Sequence, residues 1–304
     1  MLSDDLARYV ALHEAMGFSF RTQRILLRMF VAYAERHGDD LTKSDRIIEW
    51  AIEAPSPEQR RNRLLTVRRF AIAMHAENSD NEAPAADALG RGLFRRTAPY
   101  IYSADEILRL MEAAASLGPL GTIRPLAHVT LFGLLAATGL RISEALALRL
   151  ADVAEDGLII NRTKFKKSRL VPLHPTARAA IDRYLAVRLT VFPGIDALFI
   201  SNTGAPFCYD TVSALFRQMS RKIGLRGKPG LPGPRMHDLR HTFAVRSLER
   251  CPCNDDAVSR HILALSTYLG HAHVADTYWY LQATPSLMAQ IADAGEAFGQ
   301  AGAP

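Results

Sequence analysis

The chain has 304 residues, of which 48% are hydrophobic, enough for two domains with a packed core in each. No apolar run approaches a membrane span; the longest, around Val129–Ala137, is broken by Thr130 and Gly133. A net charge of +6 and a pI near 9.4 favour a polyanionic partner, although basic charge alone does not require one. The opening Met1-Leu-Ser-Asp-Asp is acidic and polar, unlike a signal peptide. Three cysteines, Cys208, Cys251 and Cys253, are too few for a disulfide framework and fit a cytoplasmic protein.

Residues 1–85 read as helices. Leu6, Tyr9, Val10, Leu12 and His13 open one amphipathic run. Ile25, Leu26, Met29, Phe30, Ala32 and Tyr33 recur at helical spacing in the next, which Gly38 ends. Ser44-Asp45 is suited to cap a third helix. Ser56-Pro57-Glu58 starts a fourth, with Leu64, Leu65, Val67, Phe70 and Ala71 on its buried side. Arg21, Arg24 and Arg28 share one polar face, as do Arg60 or Arg61 with Arg68. Taken alone, such a face is simply solvated; beside a site for a phosphodiester it suits phosphate tracking. Residues 76–84 read as a linker by composition, and a basic, extended stretch follows. The boundary falls near 98, dividing a helical unit with its linker, 1–97, from a second unit, 98–304.

The second unit reads as α+β, mostly helical. Ser103-Ala-Asp-Glu caps a helix to about Ala115. Another runs from about Pro125 to Thr138 and stops at Gly139. Arg141 sits in the turn that opens the next helix, with Glu144 near its start. Residues 158–163 and 169–173 flank Lys164-Phe-Lys-Lys-Ser168, a β-hairpin with a basic tip. Pro175 begins a helix through Val187, residues 197–201 make a short strand, and Thr211–Ile223 is helical. A loop then feeds His237-Asp-Leu-Arg240, in which a helix would place His237 and Arg240 on one face. Tyr268-Leu-Gly-His271 and Tyr278-Trp-Tyr280 follow, with one short helix and a Gly/Ala/Pro tail over 285–304.

Two arginines, two histidines and a tyrosine suggest a phosphodiester site. Guanidinium forks match phosphate oxygens and stay charged, and a tyrosine can attack phosphorus to give a covalent intermediate. A zinc site at His237 and His241, with His271 or His273 as third ligand, resembles a His-Glu-x-x-His helix. There Asp238 stands where the longer Glu is needed, and Arg141, Lys164 and Tyr280 are left without a role.

The boxes at 137–146, 237–244 and 269–280 resemble, in order and spacing, those of the tyrosine recombinase (phage integrase) family. The resemblance covers roughly residues 100–285, and the sequence context of the last box is closer to the transposon-borne branch. It implies a SAM-like helical core-DNA-binding domain followed by a mixed α/β catalytic domain with a small antiparallel sheet. It implies a site-specific DNA recombinase that integrates or transposes DNA through a 3′-phosphotyrosyl bond, without metal or other cofactor. Its partner is double-stranded DNA, gripped by a two-domain clamp in a homotetramer, alone or with partner recombinases. Arg141 and Arg240 are then the phosphate clamp, Tyr280 the nucleophile, and Lys164 the general acid. His237 and His271 assist at the phosphate, while Glu144 and Asp238 support the first two boxes. Tyr278 stays a rival to Tyr280, although a helix turns the two about 200° apart. Lys166 and Lys167 stay alternatives to Lys164, because Thr163 and Phe165 replace the glycines that usually flank this lysine. Two readings from other classes stand beside this one: a DNA-binding accessory factor without catalysis, and a type IB topoisomerase.

Overall fold

A computed structural model describes residues 1–18, 20–90, 98–119, 121–161, 168–251, 255–271 and 273–280. The chain forms two compact units, Met1–Arg96 and Thr97–Pro304. The described residues are mostly helical, with one small antiparallel sheet.

The first unit packs α1 (Leu2–Ala15), α2 (Arg21–Arg36), α3 (Ser44–Ile52) and α4 (Pro57–Glu77) around Leu27, Phe30, Ile47, Trp50, Leu64 and Phe70. Ser56 caps α4 by accepting from the Gln59 amide, with Pro57 in the first turn. The buried stripe of α2 is Leu27, Phe30, Val31 and Ala34, at i, i+3, i+4 and i+7. A helix inserts one such stripe into a core, so Ile25 and Met29 lie outside it, as does Leu12 on α1. The start of α3 also differs from expectation. Ser44 makes no side-chain cap; its amide donates instead to Glu82 Oε2 at 2.9 Å.

That bond belongs to a larger departure. Residues 78–90 are not a free tether but fold back onto the first unit. Asn81 is 4% exposed and accepts from the Thr42 amide at 2.9 Å and its hydroxyl at 3.2 Å. Its own amide donates to the carbonyls of Met74 and Asn78. Composition reads this polar run as solvated, whereas its hydrogen-bonding capacity is used inward.

In the second unit, α5 (Ala104–Ala115) begins in the Ser103–Glu106 capping box. Helix α6 (Ile123–Thr138) is buried along much of its length and ends at Gly139, whose φ is +62°. A Cβ there would stand 2.6 Å from the Phe243 ring, so glycine answers both the left-handed turn and the close packing. Helix α7 (Ile142–Ala147) follows with Arg141 at its N-cap. Strands β1 (Val153–Ala154), β2 (Gly157–Ile160) and β3 (Arg169–Pro172) make an antiparallel sheet in sequence order. Leu158 faces Val171 and Ile160 faces Arg169 across β2 and β3. The hairpin tip, with Lys164, Lys166 and Lys167, lies outside the described residues, as does the short helix expected after 285.

Helices α8 (Pro175–Val191) and α9 (Tyr209–Lys222) complete the larger core with α6. The expected strand at 197–201 is an extended, buried segment that makes isolated bridges, Arg149 to Ala197 and Ile200 to Pro206. Leu198, Phe199 and Ile200 supply the apolar burial of a strand, but no neighbour runs long enough to form a ladder. Helices α10 (Asp238–Glu249), α11 (Asp255–Leu269) and α12 (Ala275–Tyr278) close the chain's described part. Their common core holds Ala244, Leu248, Ile262, Leu265, Leu269 and Tyr280.

Replacing Asn81 with Ala leaves the buried Thr42 amide without its acceptor. Asn81→Ala is expected to destabilise the first unit by about 2 kcal/mol in urea unfolding. A change below about 0.5 kcal/mol, the range of ordinary surface substitutions, would return residues 78–90 to the status of a tether.

Candidate active site

The site gathers around the C-terminus of α11. The last carbonyls of a helix lack intrahelical donors and carry partial negative charge. Here arginines supply the donors. Arg240, from the first turn of α10, donates from Nη2 to the Leu269 carbonyl at 2.7 Å. Its Nη1 donates to the Gly139 carbonyl at 2.8 Å. Arg141 donates to the same Leu269 carbonyl at 3.4 Å and to Gly270 at 3.0 Å. Two guanidiniums from distant segments therefore meet at one acceptor. Arg240 is 2% exposed, whereas the Arg141 side chain keeps 33% of its surface open. Burial first, and then Arg141's charge, lower the Arg240 pKa to about 10, which leaves it charged at neutral pH.

Glu144 holds Arg141 from below. Its Oε1 accepts from Arg141 Nη1 at 2.9 Å and its Oε2 from the Arg141 amide at 3.1 Å. It also receives Arg169, at 3.1 and 2.8 Å, on the strand that follows the basic hairpin. Burial would raise the Glu144 carboxyl, but the hydrogen bonds and charge of Arg169, joined by Arg141, hold it below its ordinary value. Asp238 holds the second box from its entry and not through Arg240. It accepts from the Arg235 amide at 2.7 Å and the Arg235 guanidinium at 2.9 Å, and so fixes the entry to α10. The distribution is electrostatic in origin: a buried carboxylate takes the nearest unpaired donors, and Arg240 is already bound to carbonyls.

His237 stands at the N-terminus of α10 without a side-chain cap bond and packs edge to face on His241, with ring centres 4.7 Å apart. His271 Nδ1 lies 2.8 Å from the hydroxyl of buried Thr277. Tyr280 is 3% exposed; its ring centre is 6.0 Å from that of His271 and 5.5 Å from that of His241. Burial raises its pKa, while the charge and hydrogen bond of Arg240, and the charge of Arg141, pull it back. Tyr278, by contrast, is 53% exposed. Arg141, Glu144, His237, Arg240, His271 and Tyr280 thus share one site. Among the described residues, no three His, Cys, Asp or Glu side chains are placed to hold a metal ion.

Of the helical arginines in the first unit, Arg24 pairs with Glu14 at 2.8 Å. Arg61 donates to the Gly90 carbonyl at 3.2 Å and Arg68 to Pro84 at 2.8 Å, so both brace the folded-back segment. Arg21 and Arg28 are exposed on α2, and no side-chain bond ties them to the described residues. Arg169 and Thr277 were absent from the sequence-derived site. An arginine opening a strand and a threonine within a helix carry no spacing signal; only the fold brings them to Glu144 and His271.

The residues that build this site fall inside a match to the model of the Phage integrase family, which spans 101–286. The chain belongs to that family. Relatives within it include the putative integrase/recombinase y4rB of Sinorhizobium fredii, 38% identical over 92% of both chains. The tyrosine recombinase XerD of Caulobacter vibrioides is 30% identical, over 88% of this chain and 87% of its own. The fold also matches a lambda integrase tetramer bound to a Holliday junction, with a TM-score of 0.62 at 20% identity. That match covers 90% of this chain and 77% of the integrase chain. Among the described residues of this family member, no helix is long and apolar enough to cross a membrane.

The buried histidines give this integrase-family site a pH signature. His241 is 8% exposed, and burial, then His237, lowers its pKa to about 3 from an ordinary 6.5. His271 falls to about 4, again by burial first and then Arg240. His237 is also lowered to about 4, but it is exposed overall and carries less weight in folding. A folded pKa below the unfolded one means the unfolded chain binds the proton first. The stability from neutral His241 is therefore complete above pH 6.5 and drains away as pH falls toward 3. Urea unfolding of the second unit is expected to lose about 2 kcal/mol between pH 7.5 and 5 from His241, and His241→Phe should remove that share of the slope while leaving the share of His271. An unchanged slope in the variant would remove His241 as its source.

Proposed function

We propose that this protein is a site-specific DNA recombinase of the integrase or transposase kind. It cuts and rejoins strands through a 3′-phosphotyrosyl intermediate on Tyr280. The observation that carries this reading is the pairing of Arg141 and Arg240 at the Leu269 carbonyl beside buried Tyr280. Two fixed cations that share one acceptor suit a doubly hydrogen-bonded anion, and a scissile phosphate offers two non-bridging oxygens.

In this reading the Tyr280 oxygen attacks phosphorus in line with the 5′-oxygen. The P–O5′ bond breaks as the P–O(Tyr) bond forms. Negative charge grows on the non-bridging oxygens, where Arg141 and Arg240 stabilise it without reorganising. The phenolic proton leaves toward the His237 side, and the leaving 5′-oxygen takes a proton from the lysine hairpin. The family resemblance puts Lys164 in that role, with Lys166 and Lys167 as alternatives. His271, oriented by Thr277, donates to a non-bridging oxygen. The phosphotyrosine keeps the bond's energy, so a second 5′-hydroxyl reverses the step on a new partner strand.

The first unit serves as the core-DNA-binding domain, with Arg21 and Arg28 on phosphates. Four copies assemble on two DNA sites, with or without partner recombinases. The lambda integrase tetramer on a Holliday junction supports this assembly by fold.

A covalent-trap assay tests the chemistry. Nicked duplexes from the ends of the DNA element carrying the gene are mixed with wild type, Tyr280→Phe and Tyr278→Phe. An adduct is expected with wild type and Tyr278→Phe and is expected to vanish in Tyr280→Phe. Loss in Tyr278→Phe alone would move the nucleophile, and binding without any adduct would turn the reading toward an accessory factor. For the first unit, Arg28→Ala should reduce the slope of log affinity against log salt by about 0.9. A slope equal to wild type would take Arg28 off the DNA.

A further inference from the structure

We infer that Arg169 is a positioning residue: it sets the direction of the Arg141 guanidinium through Glu144 and props the Tyr268–His271 turn. The inference rests on the recombinase reading above and adds a residue to it. Arg169 stands on β3, opposite Ile160, and its side chain is 12% exposed. Both terminal nitrogens fork onto the two oxygens of Glu144, at 3.1 and 2.8 Å. The same two oxygens hold the side chain and backbone of Arg141. With the fork in place, Glu144 has no freedom to rotate, and Arg141 inherits its orientation.

The third donor of Arg169 points elsewhere. Nε donates to the Tyr268 carbonyl at 2.9 Å, one residue before the Leu269 carbonyl that anchors both clamp arginines. Gly270 passes directly over the guanidinium. A Cβ at 270 would stand 2.8 Å from Arg169 Nη1, and the residue's φ is +66°. The turn that delivers His271 is thus laid against this side chain. One planar group therefore ties together α7, the sheet and the end of α11. Lysine cannot repeat this, since an ammonium lacks the fixed fork that serves a carboxylate and a carbonyl at once.

The test is single-turnover adduct formation on the nicked duplex, with wild type, Arg169→Gln, Arg169→Lys, Glu144→Gln and the Arg169→Gln/Glu144→Gln double variant. Each is run on a scissile phosphate and on a methylphosphonate at the same position. The methyl group removes the charge that the arginines stabilise. Arg169→Gln is expected to slow the phosphate reaction roughly a hundredfold, the scale of a misplaced catalytic group, while DNA affinity is unchanged. Most of that deficit should disappear on the methylphosphonate. Arg169→Lys should recover part of the rate, and the double variant should be no slower than the worse single one. Comparing two substrates on one variant cancels any loss of folded protein. Equal deficits on both substrates, or additive losses in the double variant, would overturn the role. No adduct with wild type would instead bring down the recombinase reading itself, and this inference with it.

Discussion

Everything in the site depends on holding two like charges together. Arg141 and Arg240 repel each other, and Arg240 is buried besides. The chain offsets this with backbone: the carbonyls of Gly139, Leu269 and Gly270 stand where carboxylates could have stood. The choice matters chemically. A carboxylate on each guanidinium would cancel the charge that an arriving phosphate needs, whereas a carbonyl dipole steadies it and leaves it cationic. Glu144 is the carboxylate bonded to Arg141, and it is shared with Arg169, so these three side chains together stay net positive.

That arrangement explains why the fold is put together as it is. Gly139 must end α6 in the left-handed region so that its carbonyl turns toward Arg240. Helix α11 must stop at Leu269, because a further turn would bond the carbonyls the arginines use. Apolar packing of Leu248, Ile262, Leu265 and Leu269 sets how α10 and α11 approach, and Tyr280 completes the same cluster. The nucleophile candidate is thus part of a hydrophobic core as well as of a polar site. Its hydroxyl meets Arg240 while its ring is held by His241, Trp279 and His271.

Much of this was legible in the sequence, for reasons that can be named. Arg141, His237, Arg240, His271 and Tyr280 sit in short boxes whose spacing survives as spacing in the fold. Ser56, Ser103 and Gly139 announced helix ends through local chemistry that the structure keeps. The failures share one cause, namely long-range geometry. Residues 78–90 look like solvent-loving linker, yet Asn81 finds Thr42 across 39 positions. Arg24, Arg61 and Arg68 share a periodicity with Arg21 and Arg28, yet the bonds they make to Glu14, Gly90 and Pro84 could not be read from it. Periodicity reports which face a residue occupies and says nothing of what the rest of the chain brings to that face. Arg169 is the clearest case, since its partners are 25 and 99 residues away.

The shared Leu269 carbonyl has a consequence for the order in which the protein comes into being. The ribosome makes Arg141 long before Leu269, and Tyr280 later still. Until α11 is synthesised and docked, Arg141 and Arg240 lack the Leu269 carbonyl that they share. A growing chain can therefore fold its first unit and much of its larger core while its cutting site is still unbuilt. In this order of synthesis the proposed site comes together only when Leu269 and Tyr280 are in place.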